Sequence, residues 1–131
     1  MIINSRYEVK NMTELLGIAR MKIHPGKSEE FKRIAAKIME VVRTKDTGTL
    51  SYEQYLNADE TECVVIERYR DSAALQEHLI NLGELSGAIF ETCTAEGELC
   101  GNPSAEMRKM LEGSPVRIFT HFQSLPQKLK V

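Results

Sequence analysis

At 131 residues, 42% hydrophobic and 27% charged, the chain suits one soluble domain with a single core. Lys and Arg number 17 against 19 Asp and Glu, a net charge of -2 with no tract of five like charges, so nothing marks a nucleic-acid partner or an anionic membrane surface. No apolar run approaches the ~20 residues that span a bilayer, and the start, Met1 to Arg6, lacks the basic head and apolar block of a secretory signal. A cytoplasmic protein is expected.

Residues 1–13 are polar and weakly patterned, an extension or a strand added at an edge. From Leu15 to Ile23 apolar residues fall on both parities, as in a central strand covered on both faces, and Pro25-Gly26 ends it. Ser28 is the expected cap of the next helix, with Glu29 and Glu30 in its first turn. Phe31, Ile34, Ala35, Ile38, Val41 and Val42 then form an amphipathic stripe, and Gly48 is expected to supply a left-handed exit. Thr49–Leu56 and Cys63–Arg70 read as two strands joined by the polar turn Asn57-Ala58-Asp59-Glu60, an antiparallel hairpin. Asp71 is the expected N-cap of a second helix, on which Leu75, His78, Leu79 and Leu82 share one face.

Beyond Gly83 the pattern weakens. Ala88–Thr94 is expected to be a short strand, and Asn102-Pro103 to open a short helix through Ala105, Met107, Met110 and Leu111. Residues 115–122 read as the last strand and 124–131 as a tail. The β-α-β-β-α order predicts an α+β fold, a ferredoxin-like split βαβ with an antiparallel sheet. One domain is expected over residues 14–123, with 83–101 as an insertion of open structure.

Cys63, Cys93 and Cys100 are odd in number and form no C-x-x-C pair, so neither a disulfide framework nor a metal site is expected. Cys63 reads as a small hydrophobe at a strand start.

His78 is the leading candidate for chemistry, because a titratable ring on a buried stripe is either a working group or a core residue bonded to a neighbouring strand. As a general base it would take a phenolic proton near neutrality. Glu67 and Tyr69 share a strand face with Cys63 and Val65, so an ionised Glu67 would need a partner such as Arg20, Arg68 or Arg117. Tyr52, Glu67 and Tyr69 are the candidate substrate-binding groups. The alternatives are a structural ion pair or hydrogen bond at the dimer interface for Glu67 and core packing for the tyrosines. His24, in its turn, reads as solvated, and His121 as a last-strand residue on the side of a partner subunit.

The residues Val41 to Leu79, with Pro25-Gly26 leading into Glu30-Phe31, resemble the antibiotic biosynthesis monooxygenase domain of the dimeric α+β barrel superfamily. The resemblance rests on Gly48-Thr49-Leu50-Ser51-Tyr52-Glu53, Glu67-Arg68-Tyr69 and the run Asp71 to Leu79, taken in order. It implies a homodimer whose two sheets meet face to face, with a pocket between sheet and helices in each subunit. It also implies oxidation of a small aromatic quinol, phenol or polyketide-like substrate by O2 with no cofactor. A haem-degrading branch of the superfamily carries an asparagine in the first strand and a tryptophan in the second helix. Here Ala19 and His78 stand at those places and the chain has no tryptophan, so haem is the weaker expectation. A non-catalytic dimeric module binding a small apolar ligand remains the alternative.

Overall fold

A computed structural model describes residues 7–8, 12–125 and 127–128, and side chains from 12 to 125. Most of the expected N-terminal extension and the end of the tail lie outside the described residues. The elements, in chain order, are β1 (Tyr7–Glu8), β2 (Leu15–Ile23), α1 (Ser28–Lys45), β3 (Thr49–Leu56), β4 (Glu62–Tyr69), α2 (Ser72–Leu82), α3 (Glu84–Phe90), β5 (Cys93–Cys100), α4 (Ala105–Met110), β6 (Val116–Phe119) and β7 (Gln127–Lys128). A five-stranded sheet has the order β3-β4-β2-β5-β6, antiparallel except for the parallel pair β5 and β6. β1 and β7 form a separate two-residue ribbon. The fold is α+β and ferredoxin-like.

β2 is central in the sheet, as expected, and paired on both edges; of the two covered faces expected for it, the described helices cover one. Its odd residues face the helices: Met21 and Ile23 join Phe31, Ile34 and Ile38 of α1, Cys63 and Val65 of β4, and Ile89 and Cys93 in one core cluster. Leu15, Tyr69, Ala74, Leu75, Leu99 and Met107 make a second cluster under α2 and α4. Cys63 packs in the first of these clusters as a small hydrophobe, 2% exposed. The even residues of β2 face the other way, onto a side of the sheet that no helix among the described residues covers.

Four local expectations are corrected. Ser28 is already helical, and α1 starts at Lys27 with no side-chain cap; backbone bonds from Lys27 N to His24 O and from Phe31 N to Lys27 O close the first turn. Gly48 is not left-handed. A Cβ there would lie 2.4 Å from the Cβ of Ala74, so glycine is required by the close approach of α2 to the start of β3. Residues 84–90 are helical rather than a strand: Leu85, Ala88 and Ile89 reach the core at i, i+3 and i+4, and strand pairing begins only at Cys93. Finally, the cap of α4 is Ser104, whose hydroxyl accepts from Met107 N at 3.1 Å, because the Asn102 side chain instead accepts from Arg108. Asp71 caps α2 as expected, accepting from Ala74 N at 2.9 Å.

The Gly48 contact yields a prediction. Gly48→Ala forces α2 away from β3 and is expected to lower stability by about 1–3 kcal/mol, the usual cost of overpacking. A urea titration against the parent checks this, and an unchanged midpoint would show that α2 is free to shift.

Candidate active site

α2 begins immediately after β4, so its first two turns lie over the C-terminal half of that strand. This delivers His78 onto Glu67 and Tyr69, and the imidazole is 2% exposed. Its Nδ1 lies 2.7 Å from Asp46 Oδ2 and its Nε2 lies 3.8 Å from Glu67 Oε1. The rings of Tyr52 and Tyr69 flank it, with centroids 5.5 and 5.4 Å away. All four candidate residues therefore surround one point. His24 is elsewhere, in the turn before α1, and His121 is exposed with Nε2 2.7 Å from Ser124 Oγ.

Asp46 is the residue that sequence reasoning missed. It follows the last turn of α1, and its side chain is 1% exposed. Asn81 Nδ2 donates to Oδ1 at 2.9 Å and Thr49 Oγ1 donates to Oδ2 at 2.8 Å. Burial pushes this carboxyl up, but the hydrogen bonds from Asn81, Thr49 and His78 together outweigh it, and the group stays below the usual carboxylate range. One signal was present: a carboxylate just past a helix C-terminus opposes the helix dipole and calls for specific donors.

Glu67 has the opposite environment. It stands between Tyr52 on β3 and Gly17 on β2, and burial pushes its carboxyl up despite the Tyr69 hydroxyl and the charge available on His78. The expected arginine partner is not there. Arg20, Arg68 and Arg117 occupy the alternate parity of their strands and face away from Glu67; Arg20 pairs with Glu98, and Arg117 lies over the Phe119 ring. Tyr69 donates to Glu67 Oε1 instead. Burial likewise drives the phenols of Tyr52 and Tyr69 strongly upward, so both stay protonated.

These groups form one end of a cavity of about 510 Å³ between sheet and helices. Ala19, Met21, Phe31, Ile38, Val65 and Leu82 make much of its apolar wall. No buried side-chain polar atom among the described residues lacks a partner, yet His78 Nε2 and Glu67 Oε2 make no hydrogen bond, so both open on this space. Among the described residues, no three His, Cys, Asp or Glu side chains are grouped to hold a metal ion.

The two carboxyls carry opposite pH signatures. Asp46 is more acidic folded than unfolded, so its stabilising contribution is complete above its ordinary 3.8 and is lost as pH falls through the depressed value. Glu67 is less acidic folded, so stability declines as pH rises past its ordinary 4.5 toward the raised value. Glu67→Gln is expected to be more stable relative to the parent at about pH 8 than at about pH 4. Asp46→Asn unpairs a buried donor and is expected to lose about 1–3 kcal/mol at neutral pH. Urea titrations of both variants across that range check the pair; a parallel pH response of Glu67→Gln and the parent would contradict the assignment.

The family model for antibiotic biosynthesis monooxygenase matches residues 16–81, half of the chain. No curated protein matches it. Among solved structures, MupZ from Pseudomonas fluorescens superposes with a TM-score of 0.77 at 24% identity, covering 87% of this chain and 94% of that one. SnoaB, a cofactor-independent oxygenase from Streptomyces nogalater, gives 0.61 at 20% identity over 71% and 96%. Rv0793 from Mycobacterium tuberculosis gives 0.61 at 24% identity over 70% and 96%. At such identities the likeness establishes the fold alone.

Proposed function

The chain belongs to the antibiotic biosynthesis monooxygenase family, and from that membership we propose that it oxidises an aromatic quinol, phenol or polyketide-like substrate with O2, without metal or flavin. The observation that carries this reading is a histidine held by a buried carboxylate at Nδ1 while its Nε2 opens on an apolar cavity. About 510 Å³ lies within the range of small-molecule sites and accepts a fused aromatic ring system.

Asp46, kept ionised, accepts the Nδ1 proton, which leaves the Nε2 lone pair facing the substrate. Nε2 takes the proton of the substrate hydroxyl, and Asp46 stabilises the imidazolium that forms. The phenolate passes one electron to O2, and the two radicals join at a ring carbon. The peroxide anion that forms takes the proton back from Nε2, and the resulting hydroperoxide, where that carbon carries a hydrogen, loses water and leaves a carbonyl. The apolar walls exclude bulk water from the anion, and the protonated Tyr52 and Tyr69 border the position where its charge sits.

The reading includes a cytoplasmic homodimer. Leu16, Ile18, Val64 and Ile66 are half-buried on the uncovered side of the sheet, and Tyr55 and Phe119 are 51% and 44% exposed. A second copy would cover that apolar surface. Among the described residues no helix is long and apolar enough to cross a membrane. The domain of residues 14–123, flanked by an extension and a tail, is the unit proposed to do this.

Oxygen uptake over a panel of quinols and anthrones, under metal-free conditions, tests the chemistry. His78→Ala is expected to lose about 10²–10⁴-fold in turnover, the usual share of a general base. Ligand binding without O2 consumption across the panel would instead favour a binding module. Sedimentation is expected to give twice the chain mass, and Ile18→Asp to give monomer; a monomeric parent would end the dimer proposal.

A further inference from the structure

The reading above uses His78 and Asp46 and leaves Glu67 without work, although Glu67 is the more unusual group. It is a carboxyl in the middle of a sheet, its side chain 16% exposed, with no lysine or arginine paired to it among the described residues. Its Oε1 is occupied by the Tyr69 hydroxyl. Its Oε2 is free and lies over Gly17, where a side-chain Cβ would come within 3.8 Å of it. A Cβ at position 17 would only touch that oxygen, whereas a branched side chain there would crowd it.

We propose that Glu67 and His78 act as an acid–base pair on an aromatic ketone, interconverting its keto and enol forms without O2. The proposal rests on His78 being the base, as above, and adds a second, redox-neutral activity of the same cavity. The carbonyl oxygen and the α-carbon of a ketone are two bonds apart, so the acid and the base must be neighbours, and the Glu67 carboxyl approaches the imidazole to 3.8 Å, from Oε1 to Nε2, with Oε2 on the same carboxyl left unbonded. Nε2 removes the α-proton, and the C–H electron pair becomes the C=C bond. The π pair of the carbonyl moves to oxygen, which takes the proton from Glu67 Oε2. No electron leaves the system.

The pair then resets itself. The step leaves an imidazolium beside a carboxylate, and the proton on Nε2 returns to Glu67 by way of solvent once the enol has left, the 3.8 Å gap being too long for a direct hydrogen bond. The environment favours that return, since burial penalises the ionised carboxyl. Asp46 does not compete for the proton, because its oxygens are already held by three donors. An enol of this kind is also the electron-rich species that the oxygenation step consumes, so the pair would admit substrates arriving as ketones.

The test is hydrogen–deuterium exchange at the α-carbon of 2-tetralone and 2-indanone in D2O under argon, followed by proton NMR. The parent is expected to exchange at least one of them well above the buffer rate. Glu67→Gln and His78→Gln are each expected to lose about a hundredfold, within the range of general acid–base catalysis. Gly17→Val, which fills the space over Oε2 and leaves all the polar groups in place, is expected to lose exchange as well, and it serves if Glu67→Gln does not fold. A parent that exchanges neither ketone faster than buffer overturns the proposal, as does a folded Glu67→Gln or Gly17→Val that exchanges at the parent rate. Exchange under argon with no O2 uptake from any quinol would uphold this pair while removing the oxygenase reading. O2 uptake without exchange would do the reverse.

Discussion

One hydrogen bond organises this protein: the 2.7 Å contact between His78 Nδ1 and Asp46 Oδ2. It joins the middle of α2 to the end of α1, and it sets the direction of the imidazole. With one ring nitrogen committed to a carboxylate, the other must face Glu67 and the cavity. Without that contact, a buried histidine among leucines would be a packing residue with a costly polar edge.

Two carboxyls lie close to one imidazole, and what distinguishes them is the number of donors each receives. Asp46 accepts from Asn81, Thr49 and His78, so its negative charge is solvated by the protein. Glu67 accepts from Tyr69 alone and sits in apolar surroundings, so its neutral form is favoured. Environments that push two titratable groups apart are how a single site holds a base and an acid together. The tyrosines complete the arrangement, since burial keeps both phenols protonated and able to donate.

The scaffold permits this because its polar groups sit where backbone and packing hold them. Glu67 is on β4, paired on both edges, and the capped N-terminus of α2 starts two residues after Tyr69. Gly48 lets α2 approach β3 closely enough for the Asp46 contact to close. α3 and β5, the segment that follows α2, supply Ile89 and Cys93 to the cavity wall, so the stretch with the weakest pattern is part of the site's enclosure.

Fold class, the order of the elements from β2 to α2, the Asp71 cap and the buried position of His78 were legible in the residues, because each depends on local periodicity and capping chemistry. The strand parity also placed Glu67 and Tyr69 on one face. Residues 88–90, expected to open a strand running to Thr94, are helical, because a short apolar run has no period of its own until a neighbouring surface selects helix or strand. Asp46 was out of reach for a different reason. It lies 32 residues from His78 in the chain, and no spacing rule connects a helix end to the face of a later helix. The same holds for the absent arginine: parity alone turns Arg68 away from its neighbour Glu67, but only the register of the assembled sheet shows that Arg20 and Arg117 point away as well. Periodicity determined what is buried; tertiary packing decided which buried polar groups meet, because their partners come from segments far apart in sequence.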